Sequence, residues 1–247
     1  MSRPQLQPLC GLPVPWALGL AAVIAGGLAL DRAVPWGRHA VDVVVLAVFV
    51  WLVLASDRIG RIALLACLVF ATAGECVLSL VWGLYDYRAS GVPWFVPPGH
   101  ALLLCLGLTW APHLPPRAAW LVPAVAAPFA VALASAGLDR FGLVLFGVFA
   151  ASLLRARTRG LYAGMFVLAL GLELYGTWLG CWRWRAEVPW LALSTTNPPL
   201  AAGTFYCLLD LLVMATLRLT ASCGTCPTST PATCPTNAST GRRPPSA

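Results

Sequence analysis

Long apolar runs separated by short polar breaks make up most of this chain, and the breaks hold most of its arginines and prolines. About 20 apolar residues let a helix cross a hydrocarbon layer, and runs of that order recur here without a polar face of helical period. Eight spans can be drawn, at 14–30, 40–55, 61–84, 94–112, 117–136, 140–155, 160–181 and 197–218, or seven if 117–155 divides differently. The shorter ones borrow flanking Pro, Trp and Gly positions. The expected fold is all-α: a polytopic helical membrane protein of about eight transmembrane helices. The first run resembles a signal peptide but lacks a small-x-small cleavage site before Asp31, so it reads as a retained span. After Leu219 the pattern stops, and "TASCGTCPTSTPATCPTNASTGRRPPSA" predicts a disordered tail over 220–247.

One stretch interrupts the pattern twice. "GECVLSLVWGLYDYR…GVPWFVPPGH" is echoed by "GLELYGTWLGCWRWR…EVPWLALSTTNPPLAAG" close to one hundred residues later. Glu75 matches Glu173, Ser79 matches Thr177, and Gly83-Leu-Tyr-Asp-Tyr-Arg88 matches Gly180-Cys-Trp-Arg-Trp-Arg185. Val92-Pro-Trp94 and Pro97-Pro98 match Val188-Pro-Trp190 and Pro198-Pro199. Shifting the first two spans by the same amount lands on spans five and six. The chain therefore reads as two tandem four-helix units, 1–113 and 114–219, related by a pseudo-two-fold axis along the membrane normal.

Composition sharpens this picture. The 247 residues are 59% hydrophobic and 10% charged, too few charges for a domain that faces water. All 16 basic residues are arginines and the formal net charge is +7. The arginines are scattered through short loops rather than set in a stripe, which speaks against nucleic acid. With eight spans, one side receives Arg3, Arg58, Arg61, Arg117, Arg155, Arg157, Arg159, Arg218, Arg242 and Arg243, and the other Arg32, Arg38, Arg88, Arg140, Arg183 and Arg185. That asymmetry puts both termini in the cytoplasm, in a multi-pass inner (plasma) membrane protein. Cys67, Cys76, Cys105, Cys181 and Cys207 lie in spans as small apolar residues. Cys223, Cys226 and Cys234 supply three thiols to the tail, one ligand short of a zinc site. Asn237-Ala-Ser fits a glycosylation pattern that a cytoplasmic tail does not expose to that machinery.

The candidate chemistry sits inside the membrane. Carboxylates there cost several kcal/mol unless paired, solvated or protonated, so Glu75, Glu173 and Asp210 are candidate functional groups. Glu75 and Glu173 are expected about 20 Å from the cytoplasmic ends of their helices at about 1.5 Å per residue, with Asp210 about one turn deeper. The structural alternative is a carboxylate that bonds Ser79, Asn197 or an arginine and fixes packing. His100 opens a span after two prolines and is either an interface anchor or a proton donor beside Glu75; its counterpart by alignment is Ala201 or a neighbour. Trp82, Trp94, Trp178, Trp182, Trp184 and Trp190 cluster at the bends, as belt anchors or as a pocket wall for a flat or cationic ligand. Arg88, Arg183 and Arg185 suit a phosphate or lipid head group. No di-iron, Walker, Gly-x-Ser-x-Gly or His-Glu-x-x-His pattern occurs, so no metal or cofactor is expected. The partners expected are the bilayer and a lipid or isoprenoid substrate; oligomeric state stays open.

At Glu75, Gly83-Leu-Tyr85-Asp-Tyr87, Gly91-Val-Pro93 and Pro97, and again at Gly180-Cys-Trp182-Arg-Trp184, Val188-Pro189 and Asn197, the chain resembles the integral-membrane carotenoid biosynthesis proteins that include carotenoid 1,2-hydratases. Membrane terpene cyclases are similar at this level. The resemblance implies that a protonated carboxyl donates a proton to an alkene, and that water or ring closure then captures the cation. It implies Glu75 as the acid, Asp210 or Glu173 as the balancing carboxylate, and His100 and Tyr85 as proton relays. Ser79, Trp82, Tyr87, Arg88, Trp94, Tyr175, Thr177, Trp182, Arg185 and Asn197 would bind substrate. Two other readings stand beside it, a small proton-coupled carrier or lipid flippase and an assembly or scaffold protein.

Overall fold

The computed structural model describes residues 14–89, 91–156 and 158–223. Eight α-helices follow in order: α1 (Val14–Ala33), α2 (Gly37–Ala55), α3 (Arg58–Glu75), α4 (Val96–Trp110), α5 (Ala118–Ser135), α6 (Arg140–Arg155), α7 (Arg159–Leu179) and α8 (Gly203–Cys223). Six of them, α4 and α6 excepted, are long and apolar enough to cross a membrane. The 15 residues of α4 and 16 of α6 reach about 22–24 Å at 1.5 Å per residue, short of a hydrocarbon core of about 30 Å. The tryptophans mark both ends of the bundle. Trp16, Trp51, Trp110 and Trp120 are exposed at one end, and Trp36, Trp94, Trp178 and Trp190 at the other, as interfacial belts require.

The helix boundaries follow local chemistry. The Asp57 carboxylate caps α3 by accepting from Gly60 N at 2.7 Å. Val34-Pro35 ends α1, and Pro97 sits in the first turn of α4, where its missing N–H is no loss. Between 117 and 155 the chain forms two separate helices, α5 and α6, parted at Gly137, whose φ of 74° turns the chain. The first residues of the expected tail are helical: Thr220 to Cys223 continue α8, the Thr220 hydroxyl donating back to Leu217 O at 3.0 Å. Cys226, Cys234 and Asn237 lie outside the described residues.

Helices pair as α1 with α2 and α3 with α4 in the first unit, and as α5 with α6 and α7 with α8 in the second. The units interlock through α3 against α8 and α4 against α7, an exchange that a two-fold operation preserves. At the bend end two short strands, β1 (Tyr85–Tyr87) and β2 (Trp182–Trp184), pair antiparallel with Asp86 opposite Arg183. Asp86 and Arg183 are counterparts in the repeat, so the pseudo-two-fold passes through the middle of this ladder. Its outer bonds obey the same symmetry: Arg88 N donates to Cys181 O at 2.9 Å, and Arg185 N donates to Leu84 O at 3.0 Å. A second small hairpin, β3 (Glu187–Val188) with β4 (Leu193–Ser194), lengthens the connection to α8. For that reason α8 begins at Gly203 rather than near 197.

Two aspartates separated like Asp86 and Arg183 tie these connections down. Asp42 on α2 accepts from Phe95 N at 2.8 Å, ahead of α4. Asp139 caps α6 through Gly142 N at 2.8 Å and holds the segment before α8 through Leu200 N at 2.8 Å and Thr196 Oγ1 at 3.1 Å. Asp139 is 1% exposed, so its truncation strands three donors. Replacing it with Ala is expected to cost about 2–4 kcal/mol, from a lost cap and unsatisfied partners. Asp42→Ala removes one bond and should cost about 1 kcal/mol. Thermal unfolding in detergent, followed by circular dichroism, gives the order.

Candidate active site

The first arm of the site is built by an irregularity. Gly83 follows Glu75 by eight positions, whereas Gly180 follows Glu173 by seven. The additional residue is absorbed in a π-helical turn, Cys76–Val81, that extends α3. Both glycines then take the same left-handed conformation, with φ of 69° and 72°. Side chains alternate along a strand. Tyr85 and Tyr87 therefore share one face of β1 with Trp182 and Trp184 of β2, while Asp86 and Arg183 take the other. The aromatic face looks onto the carboxylates.

Glu75 receives the Tyr87 hydroxyl at 2.7 Å and the Tyr85 hydroxyl at 2.9 Å, both on Oε2, and its Oε1 lies 3.5 Å from His100 Nε2. Glu173 receives the indole N–H of Trp182 at 2.8 Å and of Trp184 at 3.0 Å on its Oε2, and the Tyr206 hydroxyl at 3.2 Å on Oε1. Each carboxylate is thus held by the two aromatic residues of its own strand and by one ring from α4 or α8. The two rings meet: His100 stacks on Tyr206 with centroids 4.9 Å apart. Cross-strand ring contacts, Tyr85 to Trp184 at 4.7 Å and Tyr87 to Trp182 at 6.2 Å, lock the ligands to one another. Burial, and then the Glu75 charge, push the Tyr85 and Tyr87 phenols well above the ordinary tyrosine range, so both stay protonated.

The two arms differ in what they permit. Indole N–H groups only donate, so Oε2 of Glu173 is fixed as an acceptor. Phenols donate or accept, so the Glu75 arm suits either protonation state. His100 decides between them. Its Nδ1 lies 2.9 Å from Val96 O, and a carbonyl only accepts, so Nδ1 carries hydrogen. Neutral His100 then turns a bare Nε2 toward Glu75 Oε1. The two atoms, 3.5 Å apart, are placed to share a proton.

This pair opens onto a cavity of about 640 Å³, measured out to its open mouth. Glu75, Glu173, Tyr85, Tyr87, His100, Trp182 and Tyr206 line its polar end. Val23, Ile24 and Leu28 of α1, Val41 and Val45 of α2, and Leu172 of α7 line the rest. Other expected site residues lie elsewhere. Asp210 does not line the cavity, whereas Glu173 does. Ser79 donates to Tyr85 O at 3.2 Å, and Thr177 folds back onto Glu173 O at 2.7 Å. Asn197 accepts from Trp184 N at 2.8 Å and so steadies β2. Arg88 turns to Asp31, donating to its backbone oxygen at 2.6 Å, and Arg185 pairs with exposed Asp86 at 3.4 Å. Trp82 stacks on Trp190 at 6.3 Å, Trp94 is exposed, and Tyr175 reaches Ala25 O at 3.3 Å.

Tyr206 went unread in the sequence. By alignment the counterpart of His100 was Ala201, but the longer connection into α8 shifts the matching position to Tyr206. A lone tyrosine one turn into an apolar span was the available signal. Among the described residues no group of His, Cys, Asp and Glu is arranged to hold a metal ion. No family model, curated protein or solved structure matches the chain.

The second arm depends on a glycine. A Cβ at Gly176 would run into the Trp182 ring, so the indole lies directly on the α7 backbone. Gly176→Ala is expected to lift Trp182 off Glu173 at a cost of about 1–3 kcal/mol. Gly171→Ala, on the same helix with open space at its Cβ, should be neutral or stabilise by up to about 1 kcal/mol. Melting temperatures and tryptophan fluorescence of the two variants provide the comparison.

Proposed function

We propose that the chain is a membrane-embedded acid–base enzyme acting on an isoprenoid, a polyene or a related lipid. The observation that carries this reading is the Glu75–His100 pair, Oε1 3.5 Å from Nε2, at the wall of an apolar cavity, where a carboxyl and an imidazole suit the sharing of one proton. An alkene takes that proton: its π pair forms the new C–H bond, and the neighbouring carbon becomes cationic. Water then adds and returns a proton to the carboxylate, giving a hydrated product. In the other outcome a second alkene closes a ring and loses a proton to the same carboxylate, giving an isomer. The faces of Tyr85, Tyr87, Trp182 and Tyr206 suit a transient cation. Glu173, its Oε2 fixed as an acceptor by two indoles, supplies a preorganised negative charge. The likeness of the two bends to carotenoid 1,2-hydratases points the same way, with the protein in the inner membrane and both termini cytoplasmic.

Glu75→Gln makes a clean test. The Gln carboxamide oxygen takes the two tyrosine hydroxyls, and its NH2 donates to the bare His100 Nε2, so the fold is kept while the transferable proton is lost. In a host accumulating acyclic isoprenoids such as lycopene, the wild type is expected to give a product heavier by one water, or an isomer of unchanged mass. Glu75→Gln should reduce that conversion by about 10²–10⁴-fold at equal membrane levels. An unaltered isoprenoid pool, together with solute uptake by the wild type in proteoliposomes, would replace this reading with a proton-coupled carrier.

A further inference from the structure

Asp210 has no role in the cavity, and its surroundings are unlike those of the other two acids. It is 1% exposed on α8, and neither carboxylate oxygen has a hydrogen-bond partner. The titratable groups beside it are the Cys67 thiol from α3, the Tyr162 phenol from α7 and the Cys207 thiol from α8 itself. None of them is a cation, and Cys207 directs its own S–H to Tyr162 O at 3.3 Å. Helix α6, also packed on α8, has no titratable side chain between Arg140 and Arg155 at its ends. Among the described residues the one cation acting on this group of side chains is Arg218, about two turns further along α8, through Tyr162. A bare carboxylate here would be buried with neither oxygen hydrogen-bonded, a costly state for an acid inside a membrane.

We propose that Asp210 is a second proton-binding site, holding a proton of its own as a neutral carboxylic acid. Protonation turns a buried charge into a buried polar group, a far cheaper state in these surroundings. The position also has a direction. Asp210 lies one helical turn from Tyr206 on the same face of α8, and Tyr206 donates to Glu173. A monovalent cation is the competing occupant.

Infrared spectroscopy of the purified, full-length protein in detergent tests this directly. In mildly alkaline buffer exposed carboxylic acids are ionised, so a remaining protonated-carboxyl C=O band reports buried acid. The band is expected to persist in Glu75→Gln, where the cavity acid is removed; in that background it is lost with Asp210→Asn and displaced with Asp210→Glu. The displaced band in Asp210→Glu decides the matter even where the Asn variant folds poorly. A band unchanged by both Asp210 substitutions would overturn the proposal. So would a band that vanishes on adding sodium or potassium chloride, because a cation would then be the occupant.

Discussion

Everything at the bend end follows from burying two carboxylates within an apolar bundle. A charge at mid-membrane costs several kcal/mol. One hydrogen bond to a charged group returns about 1.5–3 kcal/mol, so a single donor does not hold such an acid, whereas two or three do. Glu75 has two hydroxyls and a histidine, and Glu173 has two indoles and a hydroxyl. Helix side chains alone do not deliver this many donors to one point. A strand laid across the helix ends does, because its alternation puts two aromatic rings on one face. The short β1–β2 ladder in an otherwise helical protein therefore exists to solvate acids.

The repeat explains how both solutions arise from one plan, and its departures explain how they diverge. The ladder pairs Asp86 with its own counterpart Arg183 on the axis, and the π turn in α3 keeps Glu75 in step with Glu173. The first copy then uses groups that both give and accept protons, Tyr85, Tyr87 and His100. The second uses Trp182 and Trp184, which only give. A symmetric pair of acids has become two differently held acids through a change of ring chemistry at matching positions, with the Tyr206 phenol the one two-way partner on the Glu173 side. The same division separates an acid from a stabilising carboxylate in many acid–base sites.

Much of this was legible in the sequence. The eight helices follow from the apolar runs, although α3 ends before its run does and α8 starts and ends later than its run, and the echo of Glu75 in Glu173 follows from the paired bends. The ladder register was not legible, since two three-residue strands carry no periodic signal of their own. The indoles of Trp182 and Trp184 read as belt or pocket wall, because an N–H aimed at an acid looks the same in sequence as one aimed at a lipid head group. Tyr206 was hidden by the longer connection, which shifts the alignment between the copies. Asp210 read as a third member of the cluster because depth alone was visible. Which face of α8 it takes depends on Cys67 and Tyr162, from helices distant in sequence.

The central claim is that His100 keeps Nδ1–H toward Val96 and shares its Nε2 proton with Glu75. Nitrogen NMR of protein labelled in its histidines measures this directly, and His39→Gln and His113→Gln variants assign the His100 signals. The account predicts a protonated Nδ1 throughout, and an Nε2 that is imidazolium-like or strongly hydrogen-bonded in the wild type. In Glu75→Gln the ring should be neutral, with hydrogen on Nδ1. A neutral ring protonated on Nε2 in the wild type would contradict the account, because Glu75 would then have no shared proton to give.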